Sequence, residues 1–507
     1  MKKTKFIKNA LILTASSLIL RFAGIVFKVW AASLIGSEGI GLYQLVFSVY
    51  ILVATFASSG ISTAVTRLLA EELVLGKNKS VNKILLRSIE LTLIIAIISA
   101  ATVYFGAEYI AIHMLEDARA IPALKIMPFS LPFMGVTSCL HGYFIARRKI
   151  TPNAVSQLFE QTIRIVLVVV LLKRFAAKGL AFCCSVILFG DVAAEALGCI
   201  MLWINFICDR NKLKLLNGRE KLPYVIIRKI LHISLPITSG RYLNTALRTA
   251  ENLLVPKNLA KYKFNGENAL SQFGMIKGMA LPILFFPSTL LNSISTLLIP
   301  EIAEAVATNR KGLVRSATKN ILKLTAVISF VFAAIFFTAG KQIGLLIYKS
   351  EDVGNLLKAL SPIVPLMYLD SISDGILKGL DQQFFSFRTS VSDSVIRIIF
   401  ILLLLPQLGL NGFIIIMYAS NLLTCLLNIC RLIKISKAKL NLLSEIVLPL
   451  VSALCIVLLT NAGLSIFMKT DGLVYIIFEC IISMPLYILL LFLFGTITKE
   501  DILNVIR

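Results

Sequence analysis

Long apolar runs alternate with short polar loops along the chain, and this pattern predicts its architecture. A helix needs about 20 mostly apolar residues to cross the hydrocarbon core of a bilayer. Runs of this kind recur along the whole sequence, and Lys and Arg collect in the loops between them. The pattern predicts an all-α polytopic membrane protein with about fourteen transmembrane helices. These helices are expected at residues 10–34, 42–65, 85–107, 121–145, 153–172, 179–206, 226–254, 270–299, 318–340, 355–378, 386–406, 410–430, 446–467 and 473–495.

An internal repeat relates two halves of the chain. Glu160-x3-Arg164 recurs 233 residues later as Asp393-x3-Arg397. Acid and base four residues apart in a helix lie on one face, so both pairs predict the same local arrangement. The sequence therefore predicts two related membrane units. The same offset of 233 joins Gly41 to Gly274, Pro132 to Pro365, Gly142 to Gly375 and Gly179 to Gly412 without a gap.

Composition and charge exclude a soluble fold. Hydrophobic residues make up 57% of the chain and charged residues 15%, with a mean hydropathy of +0.86. The net charge of +24 is spread over short loops between spans, which indicates membrane topology rather than nucleic acid binding. With the N-terminus inside, most basic residues fall on the cytoplasmic side. A multi-pass cell-membrane protein with both termini cytoplasmic is therefore expected.

The sequence contains no pattern for enzymatic chemistry. Its nine cysteines and three histidines are not at metal-ligand spacing, and it has neither a Gly-x-Ser-x-Gly elbow nor a Walker loop. A catalytic residue, a metal and a cofactor are thus not expected, and the chain is not predicted to be an enzyme.

Basic residues inside the predicted spans indicate a polar cavity. A charge at bilayer depth costs about 2.5 to 3.5 kcal/mol, so it requires a partner or a function. Arg21 and Lys28 lie seven residues apart on one helix face, and Arg241 and Arg248 repeat that spacing at an offset of 220. Arginine offers forked donors that fit the oxygens of a diphosphate headgroup. The candidate substrate-binding residues are Arg21, Lys28, Arg164, Arg241, Arg248, Lys277 and Arg397.

Acidic residues within the spans leave two interpretations open. Glu160 and Asp393 either form structural salt bridges with the arginines one turn away or hold those arginines in contact with substrate. Glu251 is the main acid near Arg241 and Arg248 in sequence. Each of these acids is a candidate partner of a base or of a coupling cation. The same holds for the pairs Asp191 with Glu195 and Asp370 with Asp374, for which partners on neighbouring helices are the simpler interpretation.

Prolines are expected to interrupt three of the spans. A proline removes a backbone donor and breaks or kinks a helix, and broken helices are tolerated where they line a cavity. The interruptions are predicted in spans four, eight and ten, at Pro128, Pro132, Pro282, Pro287, Pro362 and Pro365.

Several sequence motifs resemble those of a known family. They are Arg21-x2-Gly24, the run IGSEGIGLYQ at 35–44, SGISTA at 59–64, LAE at 69–71 and Phe286-Pro287. Together they resemble the stage V sporulation protein B family. That family belongs to the polysaccharide exporter and lipid II flippase branch of the multidrug/oligosaccharidyl-lipid/polysaccharide (MOP) superfamily.

The resemblance implies a fold and a cargo. It implies two pseudo-symmetric six-helix lobes, two further C-terminal helices, and alternating access for an undecaprenyl-diphosphate-linked substrate such as a spore-cortex peptidoglycan precursor. A monomer in the lipid bilayer, with no nucleic acid partner, is expected. On this basis the chain divides into an N-terminal lobe at 1–208, a basic cytoplasmic linker at 209–225, a C-terminal lobe at 226–433 and the additional helices at 434–507.

The chain also departs from the lipid II flippase pattern, which keeps other functions open. Phe27 stands where those flippases carry a second arginine, residues 41–60 contain no base, and span eight has only Lys277. An anionic lipid-linked sugar thus fits better than lipid II specifically. The alternatives are a cation-coupled multidrug antiporter of the same superfamily and a sporulation scaffold that transports nothing.

Overall fold

Regular secondary structure is entirely helical in the described part of the chain. This follows from the absence of water in a bilayer, where a helix satisfies its backbone hydrogen bonds within one segment. The computed structural model describes residues 2–58, 60–75, 78–175, 178–212, 225–262, 266–289, 291, 302–438, 441, 443–467 and 472–496.

Contacts between residues divide the chain into two units, Met1–Lys257 and Asn258–Arg507. The helices of the first unit are α1 (Lys2–Ser58), α2 (Ile61–Val74), α3 (Asn78–Tyr109), α4 (Ile121–Ile126), α5 (Leu131–Ala146), α6 (Thr151–Phe175), α7 (Leu180–Lys212) and α8 (Val225–Lys261), the last of which crosses the boundary in its final turn.

The second unit contains the remaining described helices. They are α9 (Gly266–Phe273), α10 (Leu281–Phe285), α11 (Lys311–Tyr348), α12 (Glu351–Leu360), α13 (Val364–Gly379), α14 (Gln383–Ser436), α15 (Leu448–Phe467) and α16 (Leu473–Leu493), with a further helical stretch at 302–307.

Single glycines break the two longest helices. A straight helix of the 57 residues of α1 would be about 85 Å long, far more than the bilayer core of about 30 Å. Gly36 (φ 68°) interrupts α1, and Gly409 (φ 56°) interrupts the 54 residues of α14. Left-handed φ values favour glycine because it has no Cβ. The second break falls between the predicted spans 386–406 and 410–430, as expected.

Ten helical segments in the described residues are long and apolar enough to cross a membrane. Two of them, Ser16–Val74 and Gln383–Ser436, contain 59 and 54 residues, more than one crossing requires. The prediction for 42–65 is wrong at its end, because α1 stops at Ser58 and the chain turns at Gly60 with φ 78°. Part of predicted span 270–299 and most of predicted linker 209–225 lie outside the described residues.

The predicted proline interruptions are confirmed in spans four and ten. Turns of 3₁₀ helix at Met127–Ser130 and Ser361–Ile363 separate α4 from α5 and α12 from α13. In span eight a π-helical stretch, Gly274–Ala280, precedes α10, and Pro282 lies in the first turn of α10. Proline is tolerated at such positions because the first turn of a helix has unpaired N–H groups in any case.

Backbone features recur at the offset of the sequence repeat. Helix α5 (Leu131–Ala146) and helix α13 (Val364–Gly379) begin and end 233 residues apart. Left-handed residues follow the same rule: Glu116 (φ 56°) corresponds to Lys349 (φ 53°), and Arg148 (φ 56°) to Asp381 (φ 58°). None of these four is glycine, so the recurrence reflects matched helix ends rather than matched composition.

Candidate functional site

A cavity of about 580 Å³ lies in the first unit between α1, α5 and α8. This volume is typical of small-molecule sites. One wall is apolar and includes Phe47, Ile51 and Met134. Apart from two arginines, the polar groups that line the cavity are neutral donors and acceptors. They are the hydroxyls of Tyr50, Thr55, Ser58, Ser62, Ser138 and Thr245 and the amide of Asn244.

Two predicted residues, Arg241 and Arg248, supply the charge of this cavity. They lie two turns apart on α8, with Asn244 and Thr245 between them on the same face. Both arginines are exposed to the cavity, and neither has an ion-pair partner within the described residues. The cavity therefore carries two positive charges that are not in ion pairs with acids of the described residues.

Hydrogen bonds between α8 and α1 position the arginine-bearing face. Thr249 donates to the backbone oxygen of Ser48 at 3.0 Å, and Asn252 donates to the Ser48 hydroxyl at 3.0 Å. Both contacts lie within four residues of Arg248. Glu251 is buried next to them, and among the described residues it forms no ion pair with Arg241 or Arg248.

Arg21 and Lys28 do not line this cavity. They lie on α1 before the Gly36 break, in a segment that is helical as predicted. Arg21 is exposed and Lys28 is half-buried. The spacing shared with Arg241 and Arg248 thus holds in sequence, whereas only the second pair borders the arginine-lined cavity.

Arg164 is held by partners on two helices. Its Nη2 is 2.7 Å from Glu160 Oε1 and its Nη1 is 2.8 Å from Gln161 Oε1, both on α6. Its Nε forms an ion pair at 2.6 Å with Oδ1 of the buried Asp191 on α7. The prediction that Asp191 pairs with a base on a neighbouring helix is confirmed. This geometry resembles a structural clamp between α6 and α7.

The equivalent pair in the second unit makes a similar contact. Arg397 Nε is 3.3 Å from Asp393 Oδ2, and it donates to Ser420 Oγ at 2.5 Å. Ser420 in turn donates to Asp393 Oδ1. Ser420 lies beyond the Gly409 break of α14, so this pair also fastens one helical segment to the next.

Lys277 belongs to the π-helical stretch before α10, where it is half-buried. Its Nζ lies 6.0 Å from the ring centroid of Phe413, at the outer limit of a cation–π contact.

Sequence reasoning missed two polar clusters. Asp209 on α7 is buried and accepts hydrogen bonds from Tyr143 at 2.9 Å, from Arg147 at 3.2 Å and from Lys149. Glu479 is fully buried in α16. It is the single charged residue of that helix, and this isolation was the available signal.

The described residues combine an all-helical fold, ten membrane-length segments and a cationic cavity, the architecture of a polytopic membrane protein with a polar site. The chain belongs to the polysaccharide biosynthesis protein family, whose family model matches residues 6–260. Its sequence relatives include a stage V sporulation protein and a lipid II flippase, in agreement with the resemblance that the motifs predicted. The relatives include a lipid II flippase and, in fold, a multidrug transporter, which supports a multi-pass membrane flippase or transporter rather than an enzyme.

Curated relatives cover most of the chain. Stage V sporulation protein B of Bacillus subtilis (strain 168) is 27% identical over 443 residues, which are 86% of this chain and 85% of that protein. Lipid II flippase MurJ of the same organism is 21% identical and covers 81% of this chain and 79% of its own length.

Solved structures share the fold at low identity. Lipid II flippase MurJ in an inward closed conformation superposes with a TM-score of 0.72 at 14% identity, over 95% of this chain and all but 2% of the other. An inward-facing multidrug resistance MATE family transporter of the MOP superfamily gives a TM-score of 0.65, also at 14% identity, over 83% of this chain and 100% of the other.

Proposed function

We propose that the protein is a flippase for an undecaprenyl-diphosphate-linked anionic sugar or peptidoglycan precursor in the synthesis of spore cortex or cell wall. Such cargo moves across the cytoplasmic membrane by alternating access. The observation that carries this proposal is the pair Arg241 and Arg248 in the cavity of the first unit, without an ion-pair partner in the described residues.

Anionic cargo suits a cavity with two positive charges. A diphosphate that binds there would accept charge-assisted hydrogen bonds from both guanidinium groups. Guanidinium groups donate two parallel hydrogen bonds to phosphate oxygens and stay charged at any physiological pH. The neutral donors Asn244 and Thr245 lie between the arginines and suit sugar hydroxyls.

The remaining predicted bases have different parts in this proposal. Arg164 and Arg397 hold neighbouring helical segments through Glu160, Asp191 and Asp393. Arg21, Lys28 and Lys277 are proposed to meet the cargo at other stages of the cycle.

Topology follows from the same proposal. It includes fourteen crossings, twelve in two six-helix lobes and two at the C-terminus, with both termini cytoplasmic. This arrangement would leave the polyprenyl tail in the bilayer while the headgroup passes through the protein. One copy contains both lobes, so a monomer is the proposed transport unit. A coupling cation is compatible with this cycle, and the energy source is left open.

The test is translocation in proteoliposomes. Lipid II and an undecaprenyl-diphosphate-linked sugar are supplied separately to the wild type and to an Arg241→Gln, Arg248→Gln double variant. Losing a hydrogen bond to a charged group costs about 1.5 to 3 kcal/mol, so the double variant is expected to transport at least about tenfold more slowly.

Arg67→Gln, Arg87→Gln is the matched control, because both arginines are exposed and paired with acids on their own helices. Equal loss in both double variants, or full transport by the cavity variant, would refute the role of the cavity. No transport of either cargo by the wild type would refute the proposed function itself.

A multidrug antiporter is the second candidate, favoured by the fold shared with the MATE structure. Two unpaired arginines would repel a cationic drug. Efflux of a cationic dye that is unchanged or faster in the arginine-to-glutamine variant would favour the antiporter over the flippase.

A further inference from the structure

Glu479 is a carboxyl group in the interior of the second unit, and it has no basic partner among the residues that the structure describes. It is 0% exposed, and α16 packs against α11 and α15 around it. Thr338 on α11 donates to Glu479 Oε1 at 2.8 Å, and Asn461 on α15 donates to the same oxygen at 3.3 Å. Three helices thus converge on one carboxylate oxygen.

The other oxygen, Oε2, has no hydrogen-bond partner within the described structure. One turn further along the same face of α16, the hydroxyl of Ser483 is also 0% exposed and also lacks a partner there. Buried polar atoms are nearly always hydrogen-bonded, and a buried charge is paired or bound to a cation. Two adjacent orphan oxygens therefore indicate a ligand.

Neighbouring side chains do not supply the missing positive charge. Helix α15 contains no charged residue, and Glu479 is the single charged residue of α16. On α11 the basic residue nearest in sequence to Thr338 is Lys341, which is half exposed and 2.5 Å from Glu351. The other titratable groups on α15 and α16 are Cys455 on α15 and Tyr475, Cys480 and Tyr487 on α16, which supply no positive charge, and the remaining bases of α11 lie at least 15 residues before Thr338.

We infer that the second unit contains a binding site for a monovalent cation, sodium or a proton, formed by the oxygens of Glu479, Ser483 and Thr338, with the Asn461 amide holding the carboxylate in place. One carboxylate balances one positive charge, whereas a divalent ion would leave an uncompensated charge in the bilayer. Oxygen ligands also suit a hard cation, and the described residues contain no His, Cys, Asp or Glu cluster suited to a transition metal.

Thr338 gives the site two hydrogen-bonding arrangements. Its hydroxyl donates to Glu479, and it also lies 3.1 Å from the backbone oxygen of Ala334. A hydroxyl has one proton, so it donates to the carboxylate or to the backbone, and in the second arrangement its lone pairs are free for a cation or an acid proton. The site therefore tolerates both a neutralised and an ionised Glu479 without losing every hydrogen bond.

The first measurement is equilibrium binding of radioactive sodium to the purified full-length protein in lipid nanodiscs. Saturable binding by the wild type, its loss in Glu479→Gln, and affinity about tenfold weaker in Ser483→Ala would identify a sodium site. The matched controls are Glu90→Gln, an exposed acid paired with Arg87, and Ser465→Ala, an exposed hydroxyl on α15.

The second measurement tests for a proton site and follows the melting temperature against pH in sodium-free buffer. If sodium does not bind, a wild-type melting temperature that falls as the pH rises, together with a flatter profile for Glu479→Gln, identifies a proton site. If Glu479→Gln fails to insert, Ser483→Ala and Thr338→Val carry both measurements. Variants that match the wild type in both arms overturn the inference. Neither arm uses cargo, so the result is independent of the proposed flippase function.

Discussion

Arg164 Nε on α6 lies 2.6 Å from Asp191 Oδ1 on α7, while Nη2 of the same guanidinium is 2.7 Å from Glu160. One cation thus serves two carboxylates. Removing one of the acids leaves one acid paired with Arg164, which is neutral overall. Removing Arg164 instead leaves two neighbouring negative charges, which is more costly.

This asymmetry predicts different stabilities for two variants. Arg164→Met is expected to lower the free energy of unfolding by about 3 kcal/mol, since the buried Asp191 loses its counter-charge and a quarter of Arg164 is already exposed. Asp191→Asn should cost less than half as much. Unfolding in mixed micelles measures both values, and equal losses would contradict a shared cation.

The Gly60 turn gives a second prediction. A Cβ at Gly60 would lie 2.5 Å from Thr238 Oγ1 and 2.6 Å from the Ser234 backbone oxygen, at φ 78°. Gly60→Ala therefore combines a clash against α8 with backbone strain of about 1 to 3 kcal/mol. Gly36→Ala meets no atom within 4 Å and should show the strain alone.

Gly24→Ala is the control for this pair, because its Cβ would lie 4.0 Å from the Gln161 side chain in an ordinary helix. It should be neutral or stabilising by about 0.5 to 1 kcal/mol. The melting temperatures are expected in the order Gly24→Ala, Gly36→Ala, Gly60→Ala from highest to lowest. A Gly60→Ala protein as stable as Gly36→Ala would disprove the close approach.

The contacts of Asp209 lead to a prediction about the protease sensitivity of the turn after α5. Its carboxylate binds Tyr143, Arg147 and Lys149 and so holds the basic turn against α7. Asp209→Ala should speed trypsin cleavage at this turn several-fold, from the cytoplasmic face if the proposed orientation is correct. Asp374→Ala, which removes the partner of Lys378 at 2.5 Å, is the control. Unchanged cleavage in Asp209→Ala would argue against the tether.

Arg248 tests whether charge alone recognises the cargo. Lysine keeps the charge but not the forked donors. Arg248→Lys should raise the cargo concentration at half-maximal transport by about fivefold to tenfold, and Arg248→Gln should raise it further. Concentration series in proteoliposomes measure both shifts. Full recovery with lysine would show that bidentate geometry is not required.

Periodicity within a helix accounts for the features that the sequence predicted well. Both acid–arginine pairs, Glu160 with Arg164 and Asp393 with Arg397, are ion pairs because four residues make one turn. The same reasoning placed Arg241 and Arg248 on one face. The proline interruptions followed from the missing N–H group.

The sequence pattern could not predict which side chains make contacts between helices. Nothing in the periodicity of α6 shows that Arg164 reaches Asp191 on α7, or that Ser420 lies against Asp393. Arg21 and Lys28 share a spacing with the cavity arginines but not their position, since the Gly36 break separates them from the cavity-lining part of α1. A single acid in an apolar helix, such as Glu479, gives no periodic signal.

The one-residue breaks at Gly36 and Gly409 have a consequence for membrane insertion. Each joins two apolar helices without an intervening stretch of unpaired backbone, and moving such a stretch through the bilayer costs several kcal/mol for every unsatisfied polar group. At each of these two points the helix is interrupted at a single residue, so little unpaired polar backbone has to be accommodated in the membrane at the junction.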